Sequence, residues 1–295
     1  MLRALRHTTV LCALLATALL GASGAARAST TQESVFQDDR LLLGSGDAVR
    51  QQTLDEIKAL GADTVRVLAI WSRYAREAGS TARPAFDATD PGAYPGFGEL
   101  DLLVREASAR GLSVLLNPTG PVPLWASPCK GAKRRNTCRP NAGEFGAFVT
   151  ALGKRYGGGY AGLPRVTRFT VWNEPDLGSW LTPQYTGSQK HPVPVSPAIY
   201  RKLFYAAADG LAASGHAGDQ LLLGEMGPIG QTGGSLTTRN QPPLAFLRTL
   251  FCLDRRGRPL KGSSASKVGC GGAFRRLDVA GVSIHPYTRA AISSP

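Results

Sequence analysis

The sequence is short of several things that would direct its function elsewhere. After residue 28 no apolar run approaches the about 20 residues that a bilayer-spanning helix needs, so no transmembrane span is expected. There is no G-x-S-x-G elbow, no H-E-x-x-H pair and no phosphate loop, which leaves serine, zinc and nucleotide chemistry without support. Neither cysteine pair has the C-x2-4-C spacing of a zinc site and no histidine cluster stands nearby, so no metal is expected, and no cofactor either. Acidic residues are scarce, 21 against 34 Lys and Arg. The excess of base reads as a solvated surface; affinity for acidic polymers is the sharper alternative, but no nucleic-acid motif supports it and no nucleic-acid partner is expected. No repeat of solenoid length and no long low-complexity tract is present.

What is there begins with a leader. Arg3 and Arg6 form a basic start, Val10 to Leu20 an apolar stretch, and Ala26-Arg27-Ala28 a small-x-small cleavage site, the pattern of a secretory signal over 1–28. Its loss removes Arg3, Arg6 and Arg27 and takes the formal charge from +13 to +10 for a mature domain of 29–295. An extracellular protein is expected, with no membrane attachment after cleavage, since Cys12 lies inside the apolar stretch rather than at the cleavage point. Cys129, Cys138, Cys252 and Cys270 then meet an oxidising compartment. Of the three connectivities open to them, the local one, 129–138 with 252–270, is favoured. Each such loop adds about 3 kcal/mol in the chain-entropy account.

Beyond Asp39 short apolar runs alternate with segments of helical period, which predicts βα units and a parallel sheet. Strands are expected at Leu41 to Gly44, Thr64 to Ile70, Leu112 to Leu116, within Arg168 to Asp176, at Leu221 to Gly224 and at Val279 to Ile284. The helices between them carry inward Leu54, Ile57 and Leu60; Leu100, Leu103, Val104 and Ala107; Phe145, Phe148, Val149, Leu152 and Tyr156 behind an Asn141 cap with Glu144; Ile199, Leu203, Phe204 and Leu211 behind Ser196-Pro197; and a stretch near Leu244 to Leu250. Loops after strands are long and rich in Trp, Tyr, Pro and Gly, whereas those after helices are mostly short. Function is therefore expected at the C-terminal ends of the strands.

One stretch concentrates that expectation. In Arg168 to Asp176, RFTVWNEPD, an apolar strand runs into an amide and a carboxylate, and Pro175 stops it, which puts Glu174 at the strand's C-terminal end. Trp172-Asn173-Glu174-Pro175, Arg66 on the second strand and His285-Pro286-Tyr287 on the sixth together resemble the clan of retaining glycoside hydrolases built on a (β/α)8 barrel, the cellulase-like and β-xylosidase-like enzymes. The resemblance covers residues 39 to 288 and implies a TIM-type barrel with about six of its eight βα units in this chain.

The resemblance also implies roles. Retaining hydrolysis takes one carboxylic acid that protonates the leaving oxygen and a second carboxylate about 5–5.5 Å away that attacks the anomeric carbon. Glu174 matches the general acid/base and Asn173 the amide that bonds the sugar 2-hydroxyl. Arg66 matches the arginine that steadies the nucleophile, and His285 and Tyr287 match contacts to sugar and nucleophile. Trp71, Trp125 and Trp180 stand on strand-to-helix loops and are candidate stacking platforms for pyranose faces.

The departures from the clan are two. The clan's nucleophile is a glutamate on a seventh strand, expected here beyond residue 295, so the 295-residue span is expected to be incomplete, inactive on aryl glycosides and poorly soluble, with open sheet edges. Asn117 stands where many members have histidine. Glu225, at the end of the fifth strand, is a candidate substrate contact or structural carboxylate, and less favoured as a substitute nucleophile. The expected activity is hydrolysis of O-glycosidic bonds in a plant or microbial polysaccharide or oligosaccharide, by a chain that is a monomer when complete. A carbohydrate-binding barrel without the nucleophile is the alternative.

Overall fold

Thr64 to Ile70 sets the frame of the molecule. In the computed structural model it is a strand whose first six residues are all buried, the near-continuous apolar run of a parallel strand covered on both faces. The structure describes residues 31–131, 135–271 and 278–287. The leader expected over 1–28 and part of the basic run Lys130 to Arg139 lie outside them. Contacts group Ser34–Pro295 as one unit and Met1–Glu33 as another, of which only 31–33 are described.

Eight strands are described: β1 (Val35–Phe36), β2 (Thr64–Ile70), β3 (Ser113–Thr119), β4 (Arg168–Val171), β5 (Tyr185–Gly187), β6 (Pro192–Pro194), β7 (Gln220–Met226) and β8 (Gly281–Ile284). Six of them form one parallel sheet in the order β1-β2-β3-β4-β7-β8, and β5 and β6 make a separate antiparallel hairpin. The helices are α1 (Asp39–Leu43), α2 (Asp47–Ala59), α3 (Trp71–Tyr74), α4 (Gly98–Ala109), α5 (Ala142–Arg155), α6 (Ser196–Ala213), α7 (Pro243–Leu250) and α8 (Gly262–Lys267). The six-stranded sheet curls, with helices along its flank, as part of a (β/α) barrel does. Among the described residues β1 and β8 are its edges. No described helix is long and apolar enough to cross a membrane.

The βα alternation matches the expectation from sequence, with several corrections. Leu41 to Leu43 are helical rather than a strand, because the Asp38 side chain accepts from Leu41 N at 3.0 Å and caps α1. The first strand lies earlier, where Val35 pairs with Thr64, and the Asp39 carboxylate then takes the amide of Leu68 on β2 at 2.7 Å. Leu60 is 80% exposed rather than inward, since α2 ends at Ala59. Ser196 does not cap α6: it is the first helical residue, and its hydroxyl donates to Gln184 Oε1 at 2.7 Å. The β5–β6 hairpin and α8 fall in stretches read as loop. Both cysteine pairs close locally, Cys129 with Cys138 and Cys252 with Cys270.

Where the sequence signal is strong, the structure follows it. The Asn141 side chain accepts from Glu144 N at 3.1 Å, and Phe145, Phe148, Val149, Leu152 and Tyr156 behind it are all buried. α5 lies against α6 so closely that their glycines are backbone contacts: a Cβ on Gly210 would stand 2.6 Å from Gly146 O, and one on Gly146 would stand 2.8 Å from Ala206 O. That close approach fixes α6, whose Tyr200 reaches the sheet.

Candidate active site

β4 pairs with β7 from Arg168 to Val171 and then leaves the ladder. Trp172 turns at φ +67° and donates its amide to Pro118 O at 3.0 Å, while Asn173 N donates to Thr119 Oγ1 at 2.9 Å. Glu174 follows at φ +42°. The carboxylate therefore sits three residues past the last strand residue, on a turned segment rather than on the strand itself. The Trp172 indole is buried against Phe145, with ring centroids 5.3 Å apart, and lies so near Gly120 that a Cβ there would be 2.8 Å from it.

Glu225 owes its place to a bulge. Gly224 pairs with Ser283 and Met226 with Ile284, so Glu225 is an extra residue in β7, at φ +67°. On the β4 side the Tyr200 hydroxyl stands between the two strands: Gly224 N donates to Tyr200 Oη at 2.8 Å, and the hydroxyl donates to Val171 O at 3.0 Å. Positive φ costs a non-glycine residue about 1–2 kcal/mol, and the surroundings must hold it there. Of the seven described non-glycine residues with positive φ, Trp172, Glu174 and Glu225 all stand at this rim, which marks it as the strained part of the sheet.

Around Glu225 the side chains converge. Arg66 Nε donates to Glu225 Oε1 at 2.6 Å, and Arg66 Nη2 also bonds Glu225 Oε2 and donates to Asn173 Oδ1 at 2.9 Å. Asn117 Nδ2 is a further donor to Glu225 Oε2. Glu225 is 0% exposed and both its oxygens are taken. Glu174, partly open to solvent, has Oε1 2.9 Å from His285 Nδ1, and the other ring nitrogen, His285 Nε2, lies 3.9 Å from Glu225 Oε2. One imidazole thus stands between two carboxylates, one buried and locked, the other accessible. His285 itself is held by its amide, which donates to Met226 O at 2.9 Å.

The structure brings together Arg66, Asn117, Asn173, Glu174, Glu225 and His285. Tyr287 lies at the edge, its ring tilted 59° to that of His285 with centroids 5.7 Å apart, and is 65% exposed. Trp71 does not belong: it is fully buried and stacks on Phe148 with centroids 5.7 Å apart, so neither ring face is free for a sugar, because α3 opens with it pointing into the core. Trp125 packs edge-on against Trp71 and donates its indole N–H to Arg76 O at 3.1 Å; it and Trp180 are half-buried. Sequence reasoning passes over Asp176, although it closes the RFTVWNEPD stretch. It is fully buried, Gly227 N donates to its Oδ1 at 2.8 Å, and burial pushes its carboxyl up to about 7, with Glu174 adding to the rise. Its signal in sequence is an acid beside Glu-Pro, which by itself reads as turn chemistry. Tyr200 likewise reads only as helix. Among the described residues no group of three or more His, Cys, Asp or Glu is arranged to hold a metal.

No protein-family model and no curated protein matches the chain. Among solved structures, a glucosidase from Croceicoccus marinus aligns at a TM-score of 0.41 and 16% identity over 60% of this chain and 34% of its own. GH5_18 from Streptomyces cattleya, in complex with GlcNAc, aligns at 0.44 and 17% over 68% and 46%. The β-glucosidase from Trichoderma harzianum aligns at 0.39 and 16% over 59% and 35%. The chain spans between about a third and a half of the length of these structures. At TM-scores below 0.5 and identities this low, the likeness says nothing of chemistry.

Proposed function

We propose that the chain is a glycoside hydrolase of retaining type, acting on O-glycosidic bonds of a polysaccharide or oligosaccharide, with Glu174 as general acid/base. The observation that carries this reading is the accessible Glu174 carboxyl bonded to His285, beside the buried Arg66–Glu225 pair, at the C-terminal ends of parallel strands. A proton donor must reach solvent-borne substrate, and the partial exposure of the Glu174 side chain, 13% against 0% for Glu225, supports that role. Asn173, fixed by Arg66 and by Thr119, is suited to the sugar 2-hydroxyl. Export belongs to the reading, supported by the leader pattern over 1–28 and by the two disulfides.

Glu225 is assigned to holding the rim together. Its oxygens are occupied and it has no exposed surface, so the attacking carboxylate of the retaining reading is supplied from outside the described residues. The same fact favours a second reading, a carbohydrate-binding protein without turnover.

An aryl-glycoside panel on the product of the full reading frame separates the two. Glu174→Gln should lower turnover about 10²–10⁴-fold, least for the aryl groups that leave most readily, because they need least protonation. Glu225→Gln should leave chemistry in the fraction that folds; loss of all turnover in a folded Glu225→Gln would make Glu225 the nucleophile. Glycan binding without turnover on any substrate would establish the second reading. A protein that neither binds nor cleaves glycans would end both.

A further inference from the structure

Past the end of β4 the chain stops pairing with β7 as a strand, yet the two remain joined. Glu174 N donates to Glu225 O at 3.0 Å, and two residues further along each segment Gly227 N donates to Asp176 Oδ1 at 2.8 Å. In the parallel register of β4 and β7 the next bond would run from Gly227 N to Glu174 O; Glu174 O instead accepts from Leu177 N at 2.9 Å, and the Asp176 carboxyl takes the place of that backbone carbonyl. Its neighbours fasten the same segment. Gln241 N donates to Asp176 O at 2.8 Å, and Gln184 Nε2 donates to Pro175 O at 2.9 Å. The Gln241 side chain in turn bonds Gln184 O at 2.8 Å and Ser196 Oγ at 2.7 Å.

The second oxygen, Asp176 Oδ2, is buried with no hydrogen-bond partner among the described residues. An ionised carboxylate in that position would hold charge on an unsolvated atom, whereas the protonated acid is neutral. The titratable groups that bear on it are Glu174 on its own segment and His285 beyond β8; Gly227, Gln241 and Gln184, from the other segments packed on it, carry no charge.

We propose that Asp176 is a positioning residue for Glu174: as a neutral carboxylic acid it supplies the outermost rung between the ends of β4 and β7 and so sets how Glu174 meets His285 and its substrate. Burial, with Glu174 adding to it, raises the acid's pKa to about 7, against the opposing pull of the Gly227 amide and of His285, which agrees with a neutral acid in the resting site. The substrate part of the role rests on Glu174 being the acid/base.

The experiment reads the Glu174–His285 contact directly, in the full chain, from the imidazole NMR signals of His285 at pH 6, assigned with His285→Gln. Asp176→Asn keeps the shape and the acceptor, and its ring signals should match wild type. Asp176→Ala and Asp176→Ser cannot reach Gly227 N, and in both the ring signals should be displaced. If either folds with wild-type ring signals, the proposal fails; if Asp176→Asn displaces them as far as the others do, it fails too. Should Asp176→Ala and Asp176→Ser both unfold while Asp176→Asn folds with wild-type signals, the rung is supported as indispensable. Where the protein turns over aryl glycosides, Asp176→Ala should lower kcat about 10²-fold at unchanged KM, with recovery in Asp176→Asn. Absence of turnover in wild type would refute the proposed function, while the ring signals would still decide the role of Asp176.

Discussion

The Arg66–Glu225 pair offers the sharpest test of the site's architecture. Glu225 has no exposed surface, and its oxygens accept from Arg66 Nε, Arg66 Nη2 and Asn117 Nδ2. Hydrogen bonds to a charged group are worth about 1.5–3 kcal/mol each, but desolvation of both ions cancels much of that sum. What the pair cannot survive is the loss of one member, because the other charge then stays buried alone at about 3–5 kcal/mol. Glu225→Gln adds a further conflict, since its new NH2 group faces the donors of Arg66 or Asn117. Arg66→Met leaves the carboxylate without its cation and frees Asn173 Oδ1 as well. Each single change should therefore cost about 3–5 kcal/mol, a large share of the 5–15 kcal/mol typical of a folded domain. In a chain of this size that is a fall in Tm on the order of 10 °C. The double variant Arg66→Met with Glu225→Leu removes both charges and should recover most of the loss, with a coupling of about 3 kcal/mol between the sites. Urea unfolding followed by tryptophan fluorescence, run on wild type, on Arg66→Met and Glu225→Leu singly and on the double, measures it. Single variants each within about 1 kcal/mol of wild type, or a double that simply adds the two losses, would show that no buried ion pair holds the rim.

Two further outcomes are expected. The Asp176 carboxyl, at about 7 in the fold against an ordinary 3.8, keeps its proton more tightly when folded, so its contribution to stability is full below about pH 4, declines as pH rises from there, and is gone above about 7. At about 1.4 kcal/mol per tenfold the span is about 4 kcal/mol, and Asp176→Asn should remove that slope from a plot of unfolding free energy against pH; an unchanged slope would mean that Asp176 is not the titrating group. Gly210→Ala would set a methyl 2.6 Å from Gly146 O, a contact between two helix backbones that neither can yield, and should cost about 1–3 kcal/mol by calorimetry, whereas Gly159→Ala, in open space, should cost far less.

Much of the frame could be read from the chain because several signals there have a single solution. Thr64 to Ile70 carries β-branched and apolar residues broken only by Arg66 and is found as a strand to the residue, and Asn141 with Glu144 fixes the start of α5. Leu41 to Leu43 misled because three leucines behind two aspartates suit a strand as well as a capped turn, and only the Asp38 side chain decides between them. Trp71 misled for a related reason: a tryptophan just after a strand faces either the rim or the core, and the partners that claim it, Phe145 and Phe148, come more than seventy residues later. Glu225 was visible as an acid near a strand end, but its function in the rim depends on a bulge in β7 and on Arg66, 159 residues away, neither of which leaves a local mark.

The join between β4 and β7 has two fasteners of different chemistry. Near the strands it is the Tyr200 hydroxyl, which burial keeps protonated at any pH the protein would meet and which is bonded to Val171 O and Gly224 N. At the outer end it is Asp176, which gives up its proton near neutrality. Alkaline conditions therefore put a buried charge on this seam at one end only, on the carboxyl whose Oδ2 has no hydrogen-bond partner among the described residues, and the residue mounted beside that end is Glu174.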